Sequence, residues 1–130
     1  MHTRRTLTAA ILAAPLAFVA MRTASAATYS QADFEAAQKA GKPILVHVTA
    51  PWCPVCKQQH PILSKLRTDA KLKDLVVFDV DFDTSKDLLK TLGVQKQSTL
   101  IVYHGATEKG RSTGETNEAA IKALLMKATA

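Results

Sequence analysis

The chain has 130 residues, of which 47% are hydrophobic and 22% are charged, and its formal net charge is +6. This length is enough for one compact domain and too short for two separate cores. The positive charge does not indicate nucleic-acid binding, because half of it lies on three arginines near the N-terminus and the other basic residues are scattered among acidic ones. We therefore expect one domain with no nucleic-acid partner.

The N-terminus has the pattern of an export signal. Arg4 and Arg5 give a basic start, and residues 6–21 form an uncharged run rich in Ala and Leu. This run is shorter than the roughly 20 apolar residues that a membrane-spanning helix needs, and Pro15 interrupts it. An uncleaved membrane anchor is the alternative interpretation. The paired arginines are compatible with both twin-arginine and general secretory export.

Small residues follow at Ala24-Ser25-Ala26, as at a signal-peptidase site. The sequence therefore predicts a signal peptide over residues 1–26, cleaved after Ala26, and a mature domain over residues 27–130. We expect this domain to be exported to the periplasm or another extracytoplasmic space.

The first predicted elements of the mature domain are a helix and a strand. Ser30, with Asp33 three residues later, marks a helix start, and the helix extends over residues 31–39 and ends at Gly41. Residues 44–49 form a short, β-branched segment that is largely apolar on both faces, which predicts a central buried strand.

The middle of the domain alternates helix and strand. A helix is predicted over residues 53–68 and a strand over residues 75–82. Thr84 or Ser85 can cap a short third helix, which Gly93 ends.

The last elements are a hairpin and a helix. Strands over residues 99–103 and 109–113 flank a polar, glycine-containing turn and predict an antiparallel hairpin. A final amphipathic helix begins after Thr116 or Asn117. Its inward residues are expected to be Ala120, Ile121, Leu124 and Leu125.

This order of elements places the chain in the α/β class. Alternating strands and helices followed by a hairpin and a helix predict a mixed central sheet of four to five strands with helices on both faces. In such sheets functional sites form at the carboxyl ends of central strands, which is where Cys53 falls.

Cys53 and Cys56 are the only cysteines of the chain, and their spacing points to redox chemistry. A disulfide that closes so short a loop restrains the unfolded chain very little, so a bracing role is disfavoured. A cysteine at the first turn of a helix lies among unpaired N–H groups and the positive end of the helix dipole, which favour a thiolate. We predict Cys53 as the nucleophile and the less exposed Cys56 as the resolving thiol.

The alternative chemistry is metal binding. Cys53, Cys56 and His60 lie within about 60° of one another on a helical wheel, which allows a three-ligand site. A copper or other metal chaperone therefore stays open, although no second cysteine pair is present to complete a four-ligand site.

The run Trp52-Cys53-Pro54-Val55-Cys56-Lys57, between an apolar strand and Pro61-Ile62-Leu63, resembles the thioredoxin family. The resemblance covers nearly all of the mature chain. It implies the thioredoxin fold and thiol-disulfide exchange with protein disulfides, with Trp52 shielding the redox-active disulfide and Cys53 attacking. The further positions that carry it are Asp83, Gly93-Val94, Thr99-Leu100 and Gly114.

Two segments beside the cysteines depart from the family pattern. Pro54-Val55 replaces the family's Gly-Pro, so the resemblance does not set the redox potential. The substrate-facing cis-proline loop maps to Gln97-Ser98-Thr99, with Ser98 in the proline position. We predict a trans Gln97–Ser98 bond, because a cis bond before a non-proline residue costs about 2.5–4 kcal/mol. One interpretation is that the loop differs from the family's with no functional consequence. The other is that the Ser98 hydroxyl lies beside the Cys53 sulfur, where it can donate to the thiolate or leave space for a metal.

A third departure lies behind the cysteines. The family's buried Asp and its neighbouring Lys map to His47 and Asp79, with the charges exchanged. If both side chains point inward, His47 can take the Cys56 proton while Asp79 holds its imidazole. The simpler alternative is a hydrogen-bonded core histidine and a solvated aspartate.

These features together predict an exported thiol-disulfide oxidoreductase that is a reductase rather than an oxidase. We expect no cofactor beyond its own dithiol. The expected partners are protein disulfides or dithiols and, as the resemblance to the family's exported reductases implies, a membrane protein that donates electrons. We expect the protein to be a monomer.

Overall fold

The computed structural model describes residues 26–130. The predicted signal peptide, apart from its last residue Ala26, lies outside the described residues. A five-stranded mixed sheet forms the centre, with the strand order β1-β3-β2-β4-β5. Strands β1, β2 and β3 are parallel, and β4 and β5 are antiparallel to their neighbours. The strands are β1 (Ala27–Thr28), β2 (Pro43–Thr49), β3 (Val76–Asp81), β4 (Thr99–His104) and β5 (Thr107–Thr113).

Four α-helices cover the two faces of this sheet, and a short 3-10 helix, Ala70–Leu72, follows the second of them. Two helix starts are capped as the sequence predicts. Ser30 Oγ accepts the Asp33 N–H, and Asn117 Oδ1 accepts the Ala120 N–H. The α-helices are α1 (Gln31–Lys39), α2 (Pro54–Leu66), α3 (Lys86–Leu92) and α4 (Glu118–Lys127).

The core has two halves, because side chains alternate between the faces along each strand. Phe34 of α1 and Leu89 of α3 pack on one face with an aromatic-rich set of strand residues. Leu63 of α2 and Leu125 of α4 pack on the other face with Leu45 of β2. The strand β2 is third of five, so the prediction of a central buried strand is confirmed.

The fold confirms the α/β class with a mixed sheet and helices on both faces, and it corrects three details. The sequence did not predict β1, which contributes only two residues at the sheet edge. The helix predicted from Cys53 begins at Pro54, with Cys53 as its N-cap. The prediction that Ala120 faces inward is wrong, because the buried stripe of α4 begins at Ile121, and Ala120 is exposed. Among the helices of residues 26–130, none is long and apolar enough to cross a membrane.

Candidate active site

The cysteine pair lies where β2 ends and α2 begins. Cys53 and Cys56 form a disulfide with their Cα atoms 5.3 Å apart. Cys53 has an extended backbone and caps α2, since its Sγ lies 3.1 Å from the Cys56 N–H, which donates to it. Pro54 lies in the first turn of α2. Proline has no N–H, but an N–H in this turn has no acceptor within the helix, so no hydrogen bond is lost. The same N–H that now meets the disulfide sulfur is in place to stabilise a Cys53 thiolate.

An apolar rim surrounds this disulfide. Both sulfur-bearing residues are buried, and they pack with Ala50 and with the half-buried Val55 and Phe82. Trp52 stays 53% exposed, and it is the one large hydrophobic side chain among the described residues that does. Ala50, Val55 and Phe82 therefore cover the pair, and shielding by Trp52 stays a prediction.

Trp52 is held in a defined position at this rim. Its indole N–H donates to Asp83 Oδ2 over 2.8 Å, and its ring packs edge-on against Phe82. Because Phe82 and Asp83 directly follow β3, the indole is tied to the end of the strand beside β2. The exposed ring offers an apolar contact surface next to the disulfide.

The loop before β4 has an unusual backbone at Ser98, whose φ is +58°. Within the described residues no peptide bond is cis, so the predicted trans Gln97–Ser98 bond is confirmed. The Ser98 hydroxyl donates to the Gln97 carbonyl. Because a hydroxyl has one proton to donate, it does not donate to Cys53 in this disulfide form, which disfavours one of the two interpretations of this side chain. The role of Gln97, Ser98 and Thr99 as a substrate-facing loop stays a prediction.

His47 and Asp79 are neighbours across two parallel strands. They pair in register on β2 and β3, and His47 Nδ1 lies 3.5 Å from Asp79 Oδ1. The exposed fraction is 1% for the histidine side chain and 33% for the aspartate. His47 and Asp79 lie two residues after Leu45 and Val77 on their strands, and so on the sheet face that α2 and α4 cover, here called the α2/α4 face. The contact predicted between them is confirmed.

Gln59 completes this network, and its role was not predicted from the sequence. Its side chain is fully buried. Its amide nitrogen donates to the carbonyl of Ser98 over 3.1 Å and to that of Glu115 over 3.0 Å, and its Oε1 lies 3.0 Å from His47 Nε2. The available signal was its place on α2, three residues after Cys56, which puts it on the inward face.

With Nε2 directed at Gln59 and Nδ1 at Asp79, both ring nitrogens of His47 have partners other than Cys56. Transfer of the Cys56 proton to His47 would require one of these contacts to open. That transfer stays a prediction.

His60 lies on the outer side of the same network. Its ring meets the His47 ring edge-on, with the centroids 5.0 Å apart, and its Nε2 lies 3.3 Å from Thr49 Oγ1. Partial burial lowers the pKa of His60, and the nearby His47 lowers it further, against the opposing influence of Asp79.

The residues that suggested a metal site do not assemble into one. Among residues 26–130, no three or more His, Cys, Asp or Glu side chains are grouped so as to hold a metal ion. The ligand set of Cys53, Cys56 and His60, on which the metal-chaperone alternative depended, is therefore not formed.

Comparisons with known proteins agree with this geometry. The family model described as Thioredoxin matches residues 25–127. A thioredoxin of Mycobacterium tuberculosis is 32% identical over 80 residues, which cover 62% of this chain and 68% of that protein. Protein disulfide isomerase-like 2-2 of rice, Oryza sativa subsp. japonica, is 41% identical over 75 residues, which cover 57% of this chain. The matched part is only 19% of the rice protein's length.

Solved structures give the same result. The crystal structure of Trxlp from Edwardsiella tarda is 46% identical, with a TM-score of 0.75, and the match covers 78% of this chain and 98% of that one. A thioredoxin of Malassezia sympodialis, at 17% identity and a TM-score of 0.71, covers 83% of this chain and 94% of its own, and it supports the fold alone. The chain belongs to the thioredoxin family, whose members act on protein disulfides, and it is a thiol-disulfide oxidoreductase with a Cys-x-x-Cys pair.

Proposed function

We propose that this protein is an exported reductase of protein disulfides, with Cys53 as the attacking thiolate and Cys56 as the resolving thiol. The N-cap of α2 is the observation that supports these roles for the two cysteines. Cys53 Sγ accepts the Cys56 N–H at the helix N-terminus, so a negative charge on Cys53 is stabilised there. Cys56 lies inside the helix and is fully buried, as suits a thiol that acts only after a mixed disulfide has formed.

The exposed Trp52 supports the choice of proteins as substrates. Its indole stands beside the buried disulfide and is fixed by its bond to Asp83. An apolar side chain at this position can bind an extended polypeptide segment, while Cys53 attacks a disulfide carried by that segment.

We favour reduction because the chain matches a thioredoxin over more of that protein's length than it matches a disulfide isomerase-like protein. The Mycobacterium tuberculosis thioredoxin is matched over 68% of its length, whereas the rice protein disulfide isomerase-like 2-2 is matched over only 19%. A reductase in an oxidising compartment needs a source of electrons, and we assign that role to a membrane protein that donates them to the Cys53–Cys56 disulfide. We expect the protein to act as a monomer.

The reduction potential of the cysteine pair tests the direction. We expect a value near the thioredoxin end of the scale, about −270 mV, when the protein is equilibrated with glutathione buffers. A value near about −120 mV would identify an oxidase instead. Because Pro54-Val55 differs from the family dipeptide, the wild type should be compared with a variant carrying Pro54→Gly and Val55→Pro.

The proposal of export rests on the sequence of residues 1–26. Cleavage after Ala26 would leave every described helix and strand intact, because β1 begins at Ala27. Fractionation of cells expressing the full chain should place the protein outside the cytoplasm, and N-terminal sequencing should start at Ala27. Retention in the cytoplasm would contradict the proposal. Replacing both Arg4 and Arg5 with Lys should block export only if the twin-arginine route is used.

A further inference from the structure

The orientation of the Gln59 amide is fixed by its surroundings. Its nitrogen lies 3.1 Å from the Ser98 carbonyl and 3.0 Å from the Glu115 carbonyl. Carbonyl oxygens only accept hydrogen bonds, so the nitrogen with its two protons must face them. The other end of the amide, Oε1, therefore faces His47.

This orientation determines where His47 carries its first proton. Gln59 Oε1 has no proton to give, so His47 Nε2, 3.0 Å away, must donate one. A neutral His47 then has its proton on Nε2 and a bare lone pair on Nδ1. The acid–base site of the ring is therefore Nδ1.

Nδ1 faces Asp79. It lies 3.5 Å from Asp79 Oδ1, so a neutral His47 would set a lone pair against a carboxylate oxygen. A second ring proton on Nδ1 turns this repulsion into an ion pair with a hydrogen-bond donor. Asp79 also acts on Arg67 of the same face, opposing the burial that lowers the pKa of that guanidinium. Arg67 therefore adds a positive charge within electrostatic reach of Asp79.

The other groups around the ring do not compete for this proton. His60, whose ring meets the His47 ring edge-on, has its pKa lowered by burial and by His47, so it binds a proton less readily than an ordinary histidine. Leu100, the register partner of His47 on β4, is apolar.

We propose that Gln59, three residues after Cys56 on α2, is a positioning residue that holds His47 in the Nε2–H tautomer and so places a protonated Nδ1 against Asp79. The resulting positive charge favours a thiolate in the reduced protein. The inference depends on the redox-active pair and on neither the direction nor the compartment of the proposed function.

Loss of the Gln59 acceptor removes this charge. A neutral His47 can then carry its proton on Nδ1 and donate it to Asp79. The site holds one proton and one positive charge fewer, so the Cys53 thiolate becomes less stable. We expect Gln59→Met to shift the pH profile of Cys53 alkylation by iodoacetamide upward by about one unit, which is roughly tenfold slower reaction below the midpoint. The rate is measured on the reduced chain by mass spectrometry of the Cys53 peptide.

The matched control is Gln58→Met, the same change at the exposed neighbouring position. It should leave the alkylation profile at that of the wild type. A profile that is equally unchanged in Gln59→Met would overturn the proposal.

A double-mutant cycle separates the proton from mere packing. In Asp79→Asn the side-chain amide can donate to Nδ1, so a neutral Nε2–H ring is satisfied and no extra proton is held. Adding Gln59→Met to Asp79→Asn should then shift the profile no further. A packing role for Gln59 would give the full shift in both backgrounds, and that result would contradict the proposal.

The tautomer itself can be observed in the wild type, so the proposal stays testable even if Gln59→Met does not fold. Nitrogen-15 NMR of the His47 ring should show Nε2 protonated from pH 5 to 9, with Nδ1 as the nitrogen that titrates. A neutral ring with its proton on Nδ1 would overturn the proposal. Insulin reduction by the same sample reports the redox activity separately.

Discussion

The α1/α3 face of the central sheet and the α2/α4 face share the same strands, and they differ in what they bury. On the α1/α3 face the Phe34 ring lies 5.4, 5.9 and 5.3 Å from the rings of Tyr29, Phe78 and Tyr103. On the α2/α4 face the apolar packing is interrupted by the buried His47 and Gln59. The first face is an aromatic-rich core, and the second contains a connected polar network.

This difference follows from the position of the cysteines. Burying a polar group costs free energy unless it is hydrogen-bonded, so a polar network inside a core needs a function or complete pairing. The network lies beneath α2, the helix whose N-terminus holds the redox-active pair, whereas α1 and α3 carry neither cysteine. One face therefore provides stability, and the other combines stability with control of the thiol chemistry.

The largest expected effect is at the cysteines themselves. Cys53→Ser should abolish insulin reduction, because no thiolate remains to attack the disulfide. Cys56→Ser should still attack but stop at the mixed disulfide, which mass spectrometry of the intact protein would detect. Equal trapping of substrate by both variants would contradict the assignment of Cys53 as nucleophile.

The aromatic face offers the next largest effect, on stability alone. Phe34→Ala removes a ring that is almost fully buried among three others, and it should cost about 3–5 kcal/mol of the free energy of unfolding, measured with urea. The reduction potential of the folded variant should equal that of the wild type. A shifted potential would show that the two faces are not independent.

Loosening α4 tests whether the chemistry of the second face resides in its polar network alone. Asn117→Ala removes the cap bond to the Ala120 N–H, which measures 3.0 Å, and should cost about 1 kcal/mol. Thr116→Ala, the neighbouring exposed position, should cost much less. Thermal unfolding measures both. Neither change should alter the rate of Cys53 alkylation, since α4 supplies no side chain to the contacts of His47.

Much of this architecture could be predicted from the sequence. The apolar segment of β2 indicated a central strand, and the spacing of Cys53 and Cys56 at the following turn indicated the redox site. The contact between His47 and Asp79 could be predicted because it depends on register between adjacent strands, which the family resemblance supplied.

The role of Gln59 could not be predicted in the same way. A glutamine on a helix is ordinarily solvated, and its spacing alone places it only on the inward face. Its three partners lie 12, 39 and 56 residues away along the chain, so only the folded structure brings them together. The positive φ of Ser98 likewise depends on long-range contacts, since its carbonyl accepts from Gly114 as well as from Gln59.

The smallest expected effect concerns His60, at the exposed edge of the network. Its pKa is lowered in the folded protein, by burial and by His47, so the folded state binds fewer protons there than the unfolded state. The lowered pKa of His60 therefore reduces the stability of the protein as the pH falls below the ordinary histidine pKa of about 6.5. The loss of stability reaches its full size below the folded pKa of His60. The melting temperature of His60→Gln should therefore fall less than that of the wild type between pH 7 and pH 5, while Gln58→Met should follow the wild type. An equal or steeper fall in His60→Gln would contradict a lowered pKa of His60 in the folded protein.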